Sequence, residues 1–139
     1  MLLRRTIPSD IYAIVGAQLD AFCKRTEWRS KSRQSDSGRF LWRRRGRAII
    51  LAEEQRDISG NLIRRDSGKF VYHKGEWHLY YLDAAGRWRR YELARPAQSF
   101  AVAFRHWRED VTGIFQSPRI RRSTESEIER EALAVLVGG

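Results

Sequence analysis

Two short segments combine arginine with tryptophan or tyrosine in a pattern that can bind single-stranded nucleic acid. The first is Trp42-Arg43-Arg44-Arg45-Gly46-Arg47, and the second is Arg87-Trp88-Arg89-Arg90-Tyr91. Aromatic rings stack on bases, and guanidinium groups bind the phosphate that each nucleotide carries. The candidate phosphate contacts are therefore Arg43, Arg44, Arg45, Arg47, Arg87, Arg89 and Arg90, and the candidate stacking partners are Trp42 and Trp88.

A structural interpretation competes with this one. Tryptophan in a strand more often belongs to a core, and arginine on the opposite side more often forms a solvated face. The formal charge of +10 and the pI near 10.6 would concentrate a polyanion. Only four of the 27 basic residues are lysine, however, and such an arginine excess can follow from a GC-rich coding sequence. Charge alone therefore leaves polyanion binding and an incidental basic surface both open.

Histidine and glutamate on one predicted hairpin are the only candidates for a metal site. His73, Glu76 and His78 fall on one sheet face in the pairing given below, so two imidazoles and a carboxylate could converge. Their spacing matches no zinc pattern, and an antiparallel sheet is expected to have one polar, solvated face. We expect no metal and no cofactor.

No motif indicates catalysis. The sequence lacks a Gly-x-Ser-x-Gly elbow, a phosphate-binding glycine loop and a His-Glu-x-x-His pair. The single cysteine, Cys23, excludes an internal disulfide and lies on the apolar face of a predicted helix, which is typical of a buried structural thiol. We expect no catalytic residue, and the sequence favours a domain without enzymatic activity.

Hydrophobic periodicity predicts the elements that would position these residues. A helix is predicted over residues 10–26, with Ser9-Asp10 as its N-cap, because apolar residues recur there at spacings of three and four. The polar stretch 27–38 predicts a loop. From Arg39 the apolar period becomes two, which predicts a hairpin that continues into the β-prone run 48–52.

A second hairpin follows a region rich in turn residues. Residues 57–68 contain Ser59-Gly60-Asn61 and Asp66-Ser67-Gly68, so the next strand is predicted to start at Lys69. A two-residue turn at Lys74-Gly75 would pair residues 69–73 with 76–83. His73 would then face Glu76, and one face would carry the core residues Phe70, Tyr72, Trp77, Leu79 and Tyr81. A return strand over 87–93 completes a meander of about five strands.

The helical period returns after Pro96. Phe100, Ala103, Phe104, Trp107 and Val111 predict a second helix, and a capping box at Thr124 and Glu127 begins a third that ends before Gly138. The predicted fold class is therefore α+β: an N-terminal helix, an antiparallel meander of about five strands, and two C-terminal helices on one sheet face. We expect a single domain over residues 1–139.

Three stretches resemble a known family. Leu19-Asp20-Ala21-Phe22-Cys23-Lys24-Arg25, Trp77-His78-Leu79-Tyr80-Tyr81 and Trp88-Arg89-Arg90-Tyr91 resemble the bacterial domain of unknown function 3024 over about residues 11–115. Residues 116–139, a linker and the C-terminal helix, lie outside that resemblance. The resemblance implies a compact bacterial domain and carries over no catalytic or binding residue.

The leading functional hypothesis is a non-catalytic domain that binds nucleic acid or another polyanion, with DNA and RNA both open. The alternative is a protein-interaction or homodimerisation module without enzymatic activity, which would use the C-terminal helix, as the possible dimer contact, or an uncovered sheet edge. The short apolar patch 11–17 is neither a secretory core nor a membrane span, so we expect a cytoplasmic protein without a membrane partner.

Overall fold

A computed structural model describes residues 6–29, 37–57 and 59–115. The elements are α1 (Ser9–Thr26), β1 (Trp28–Arg29), β2 (Ser37–Arg45), β3 (Ala48–Arg56), β4 (Leu62–His73), β5 (Glu76–Leu82), β6 (Trp88–Arg90) and α2 (Phe100–Glu109). The strands form one antiparallel six-stranded sheet in chain order. The N-terminal helix, the meander and the helix after Pro96 are thus confirmed, whereas the predicted third helix lies outside the described residues.

Both helices pack on one face of the sheet, which we call the core face. Phe22 of α1 meets Phe104 and Trp107 of α2 at ring-centroid distances of 4.9 and 5.6 Å. Below them, Phe100 contacts the rings of Phe70 and Trp77, each at 5.0 Å. These aromatic contacts join both helices to the centre of the sheet and form the hydrophobic core.

The turn between β4 and β5 sets the predicted register. Lys74 and Gly75 have φ angles of 51° and 78°, as a two-residue type I′ turn requires. His73 therefore pairs with Glu76, and the predicted pairs Tyr72 with Trp77 and Phe70 with Leu79 are also present. The aromatic face predicted from this turn is confirmed as the core face.

The start of β4 differs from its prediction. The strand begins at Leu62, seven residues before Lys69, and directly before it Gly60 N donates to Asp57 O and Asp57 N donates to Asn61 O. Asp66-Ser67-Gly68, a typical turn sequence, is instead a β-bulge, since the register shifts where Leu51 pairs with Gly68 and Ala52 pairs with Asp66. The bulge directs the Ser67 side chain to the core face, where its hydroxyl accepts a hydrogen bond from Trp107 Nε1.

Three smaller predictions are corrected. Helix α1 has Pro8 at its N-cap position without a side-chain cap, so Ser9 already lies inside the helix. The predicted loop 27–38 contains β1 and the start of β2. Helix α2 ends at Glu109 because Asp110 adopts a left-handed conformation, which leaves Val111 outside the helix and 81% exposed. In the described part of the chain, no helix is long and apolar enough to cross a membrane.

Candidate nucleic-acid interface

The two faces of the sheet are chemically different. Opposite the core face lies a second surface, the open face, which carries Arg43, Lys69, Tyr80, Trp88 and Arg90 by strand alternation. Within residues 6–29, 37–57 and 59–115, the helices reach the sheet through core-face side chains and leave the open face uncovered. From Lys69 onwards, the open-face side chains of β4, β5 and β6 are half-buried or exposed, whereas Ile50 of β3 is only 2% exposed.

The structure places Trp42 and Arg44 on the core face, next to α1. The Trp42 indole donates a 2.8 Å hydrogen bond to Asp20 Oδ1, and its ring lies 5.9 Å from Tyr12 in an edge-on arrangement. The Arg44 guanidinium lies 4.7 Å from the centre of the same Tyr12 ring. These two side chains anchor α1 to the sheet edge, and Trp42 is separated from Trp88 by the full thickness of the sheet.

Arg43 and Arg47 have partners on neighbouring strands. Arg43 forms a two-pronged ion pair with Asp66, at 2.9 and 3.1 Å, and this hydrogen bonding holds the pKa of Asp66 below its usual range. Arg47 Nη1 lies 3.0 Å from His73 Nδ1, within hydrogen-bond distance. Arg45 points to the open face and is exposed.

Arg87 and Arg89 organise the turn before β6. Asp83 accepts hydrogen bonds from the backbone of Arg87 and Ala85, and its second oxygen lies 2.6 Å from Arg89 Nε. The Arg87 guanidinium lies 4.0 Å from the same carboxylate. The backbone hydrogen bond from Arg87, followed by the one from Arg89, holds the pKa of Asp83 below its usual range. Both arginines thus support the turn, although their side chains remain largely exposed.

Trp88 and Arg90 share the open face with Lys69 and Tyr80. The Trp88 ring is half-buried, and the Lys69 ammonium lies 5.8 Å from its centre. Arg90 is exposed, and among the described residues no carboxylate pairs with it. Lys69 and Arg90 therefore flank Tyr80 in the register, and in the described part of the chain neither pairs with a carboxylate.

The register aligns cations across the sheet. Arg43 pairs with Ile50, Ile50 with Lys69, Lys69 with Tyr80, and Tyr80 with Arg90. This line of five residues, the cationic row, carries a positive side chain on every second strand. Because neighbouring strands are about 4.8 Å apart, its cations recur at about 10 Å.

The histidines border the cationic row. His73 and His78 have ring centroids 6.2 Å apart and share the open face with Glu76, as the predicted pairing required. Burial lowers the pKa of His78, and the nearby Arg90 lowers it further. Over the described ranges, no group of three potential ligands is placed to hold a metal ion.

Two residues of this surface were not among the candidates predicted from sequence. Lys69 lies outside both arginine-rich segments, and Tyr80 belongs to a strand with aromatic residues on both faces. The register around Lys74-Gly75 was a usable signal, because it already places Lys69 opposite Tyr80.

The family profile described as a domain of unknown function (DUF3024) matches residues 8–117. The chain therefore belongs to this family. It matches no curated protein and no solved structure.

Proposed function

We propose that this chain, a member of the DUF3024 family, binds single-stranded nucleic acid on its open face. The observation that carries the proposal is the cationic row, which aligns Arg43, Lys69 and Arg90 across β2, β4 and β6. Binding of nucleic acid is driven largely by cations that replace the counterions of the phosphates. A row of cations at regular spacing provides such contacts for an extended phosphate backbone.

The rings between the cations favour a single strand over a duplex. Tyr80 and Trp88 are half-buried side chains of adjacent strands on the open face. Aromatic side chains stack on bases only where the bases are not paired with a second strand, and each such contact contributes about 1–3 kcal/mol. A base on Trp88 would bring its phosphate within reach of Lys69, whose ammonium is 5.8 Å from the ring centre.

The fold supports the same use of the sheet. Both helices lie against the core face, so the strands present one side to a ligand while the other is fixed by the aromatic core. Trp42, with its indole bonded to Asp20, belongs to that core-face support. The proposed contacts are therefore Arg45, Lys69 and Arg90 for phosphates, and Tyr80 and Trp88 for bases, while Arg43 is already paired with Asp66.

The first experiment measures fluorescence anisotropy of labelled single-stranded and duplex oligonucleotides over a salt series. The test variant is Lys69→Gln/Arg90→Gln, and the matched control is Arg105→Gln/Arg108→Gln, which removes the same charge from α2. We expect the test variant to lower single-strand affinity at least tenfold and to reduce the log–log salt slope by about 1.4, or about 0.7 per lost phosphate contact. The control should retain most of the affinity.

A second pair of variants isolates stacking. Trp88→Leu and Tyr80→Leu keep an apolar side chain on the open face and should each weaken single-strand binding by about 1–3 kcal/mol. Duplex affinity should change little. Equal losses in the α2 control, or wild-type binding weaker than about 100 μM near physiological salt, the limit of non-specific binding, would refute the proposal.

A further inference from the structure

The outer edge of β6 has unused backbone hydrogen-bonding groups. Asp83 N donates to Arg87 O and Tyr91 N donates to Leu79 O, both at 2.8 Å. Because hydrogen-bonded residues alternate along an antiparallel strand, Trp88 and Arg90 direct their N–H and C=O groups away from β5. In the described part of the sheet, β5 is the only strand that pairs with β6. This edge can therefore accept another strand.

A groove runs beside this edge. It has a volume of about 690 Å³, and its lining includes the apolar residues Tyr81, Trp88, Leu93 and Ile114 and the charged residues Arg89, Arg90 and Glu92. Leu93 is 65% exposed and lies beside this open strand edge. Apolar surface with a polar rim is typical of a protein-docking site.

The charges on β6 favour an acidic occupant. Arg90 is exposed and lacks a carboxylate partner among the described residues, and the Arg89 side chain is 54% exposed although it pairs with Asp83. The chain as a whole carries a formal charge of +10. A partner segment with carboxylates would therefore be attracted to this edge, whereas a basic segment would be repelled.

A second copy of the chain fits this edge poorly. An antiparallel β6 pair centred on Arg89 places Arg89 opposite Arg89, and one centred on Arg90 places Arg90 opposite Arg90. A pair centred on Trp88 places Arg87 opposite Arg89. Like charges directly opposite each other destabilise a strand pair. Every self-pairing centred on a residue of β6 therefore opposes two arginines.

We propose that β6 binds an extended acidic segment of a partner protein, which joins the sheet as an added strand along the groove. Its backbone pairs with the outward groups of Trp88 and Arg90. Because side chains of a strand alternate, carboxylates on one side lie next to Arg90 at the open face, and aliphatic residues on the other meet Leu93 and Ile114. This role concerns the sheet edge, and it shares Arg90 with the phosphate contacts proposed on the open face.

The probe is a fluorescent synthetic peptide that alternates Asp with Val, and the control peptide alternates Lys with Val. We expect the acidic peptide to bind at least tenfold more tightly than the basic one. Alternate N-methylation of the acidic peptide should abolish binding, because the methylated amides cannot pair with β6. Hydrogen exchange at the amides of Trp88 and Arg90 should slow at least tenfold in the complex, while that of Tyr91 should not change.

Matched variants separate this surface from the open face. Leu93→Asp places a negative charge in the groove and should lower the affinity for the acidic peptide at least tenfold. Ile14→Asp, at a 62% exposed site on α1, should leave this affinity unchanged. Lys69→Gln should lower oligonucleotide affinity and leave peptide affinity unchanged. The proposal would be overturned if the acidic peptide did not bind at 1 mM, or if both peptides bound equally well. It would also be overturned if the peptide slowed hydrogen exchange at other amides instead, or if the protein self-associated through β6.

Discussion

At the scale of single residues, two glycines have opposite roles in the core. Gly68 lies at the bulge of β4, directly below Trp107, whose indole donates to Ser67 Oγ at 3.2 Å. A Cβ at Gly68 would lie 2.7 Å from Trp107 Cδ1. A Cβ at Gly16, inside α1, would lie 3.4 Å from the nearest atom of the Trp42 ring, which is ordinary contact. The first glycine is required by packing and the second is not.

We therefore expect Gly68→Ala and Gly16→Ala to change stability in opposite directions. Gly68→Ala forces Trp107 out of its position and should cost about 1–3 kcal/mol, the usual effect of overpacking. Gly16→Ala gains helix propensity and should stabilise the protein by up to about 1 kcal/mol. Urea denaturation of both variants measures the two values. If Gly68→Ala left the free energy of unfolding unchanged, Trp107 would not pack against the bulge.

At the scale of elements, the β4–β5 turn contains local strain. Lys74 has a φ of 51°, a region that side chains with a Cβ rarely adopt, and the next residue, Gly75, has a φ of 78°. A type I′ turn favours Asn at the first of these positions and Gly at the second. The turn is thus close to its preferred sequence but deviates at Lys74.

Lys74→Asn should stabilise the hairpin by up to about 1 kcal/mol, because asparagine tolerates the left-handed conformation better than lysine. The matched change is Gly75→Ala, which meets no atom within 4 Å and so alters only the conformational preference. This variant should lower the melting temperature, while Lys74→Asn should raise it. Calorimetry of the two variants tests both signs, and a fall in both would contradict a type I′ turn.

The arginine run of β2 has a further structural consequence. β1 pairs with β2 only at Ser37 and Gly38, so the rest of β2 forms an edge of the described sheet. Charged side chains at an edge discourage pairing with strands of other molecules. Arg44 and Arg45, near the end of this strand, therefore keep the edge of β2 solvated, in addition to any contact with phosphate.

At the scale of the whole molecule, features that depend on local interactions could be predicted from the sequence, and features that depend on contacts between distant residues could not. The Lys74-Gly75 turn is local, so the pairing of β4 with β5 and the aromatic core face were predicted. The Asp66-Ser67-Gly68 bulge depends on Trp107, 40 positions away from Ser67, so the same residues suggested a loop. Trp42 and Trp88 look equivalent in sequence, but contact with Asp20 and Tyr12 fixes Trp42 on the core face. The Lys74-Gly75 turn already places Lys69 opposite Tyr80, but the alignment of Lys69 with Arg43 and Arg90 depends on pairing across all the strands between them.

Long-range charge pairing also distributes the excess of cations. The carboxylates of Glu54, Asp66 and Asp83 pair with Arg39, Arg43 and Arg89 at 2.9, 2.9 and 2.6 Å. These pairs join neighbouring segments of the sheet. Lys69 and Arg90 have no such partner among the described residues, and the same holds for other exposed cations such as Arg45 and Arg64.

Two titratable side chains, His78 and Asp66, predict how the stability of the fold depends on pH. The folded protein lowers the pKa of His78 below its ordinary value of 6.5, because the ring is partly buried and lies near Arg90. At a pH between the lowered pKa of the folded state and the ordinary pKa of the unfolded state, His78 binds a proton in the unfolded chain but not in the folded one. Acidification through this range therefore favours unfolding. The pKa of Asp66 is also lowered, from 3.8, by its hydrogen bonds with Arg43. Its contribution is present above that ordinary value and is lost as the pH falls through the folded pKa.

We therefore expect the melting temperature to fall in two stages on acidification, first below about pH 6.5 and again below about pH 4, the ordinary ranges of histidine and aspartate. His78→Gln should weaken the first stage and leave the second, because glutamine does not titrate. Asp66→Asn should weaken the second stage and start from a lower melting temperature at pH 7, because the amide cannot pair with the Arg43 charge. Differential scanning calorimetry from pH 3 to 8 measures both stages. An unchanged first stage in His78→Gln would assign it to another group.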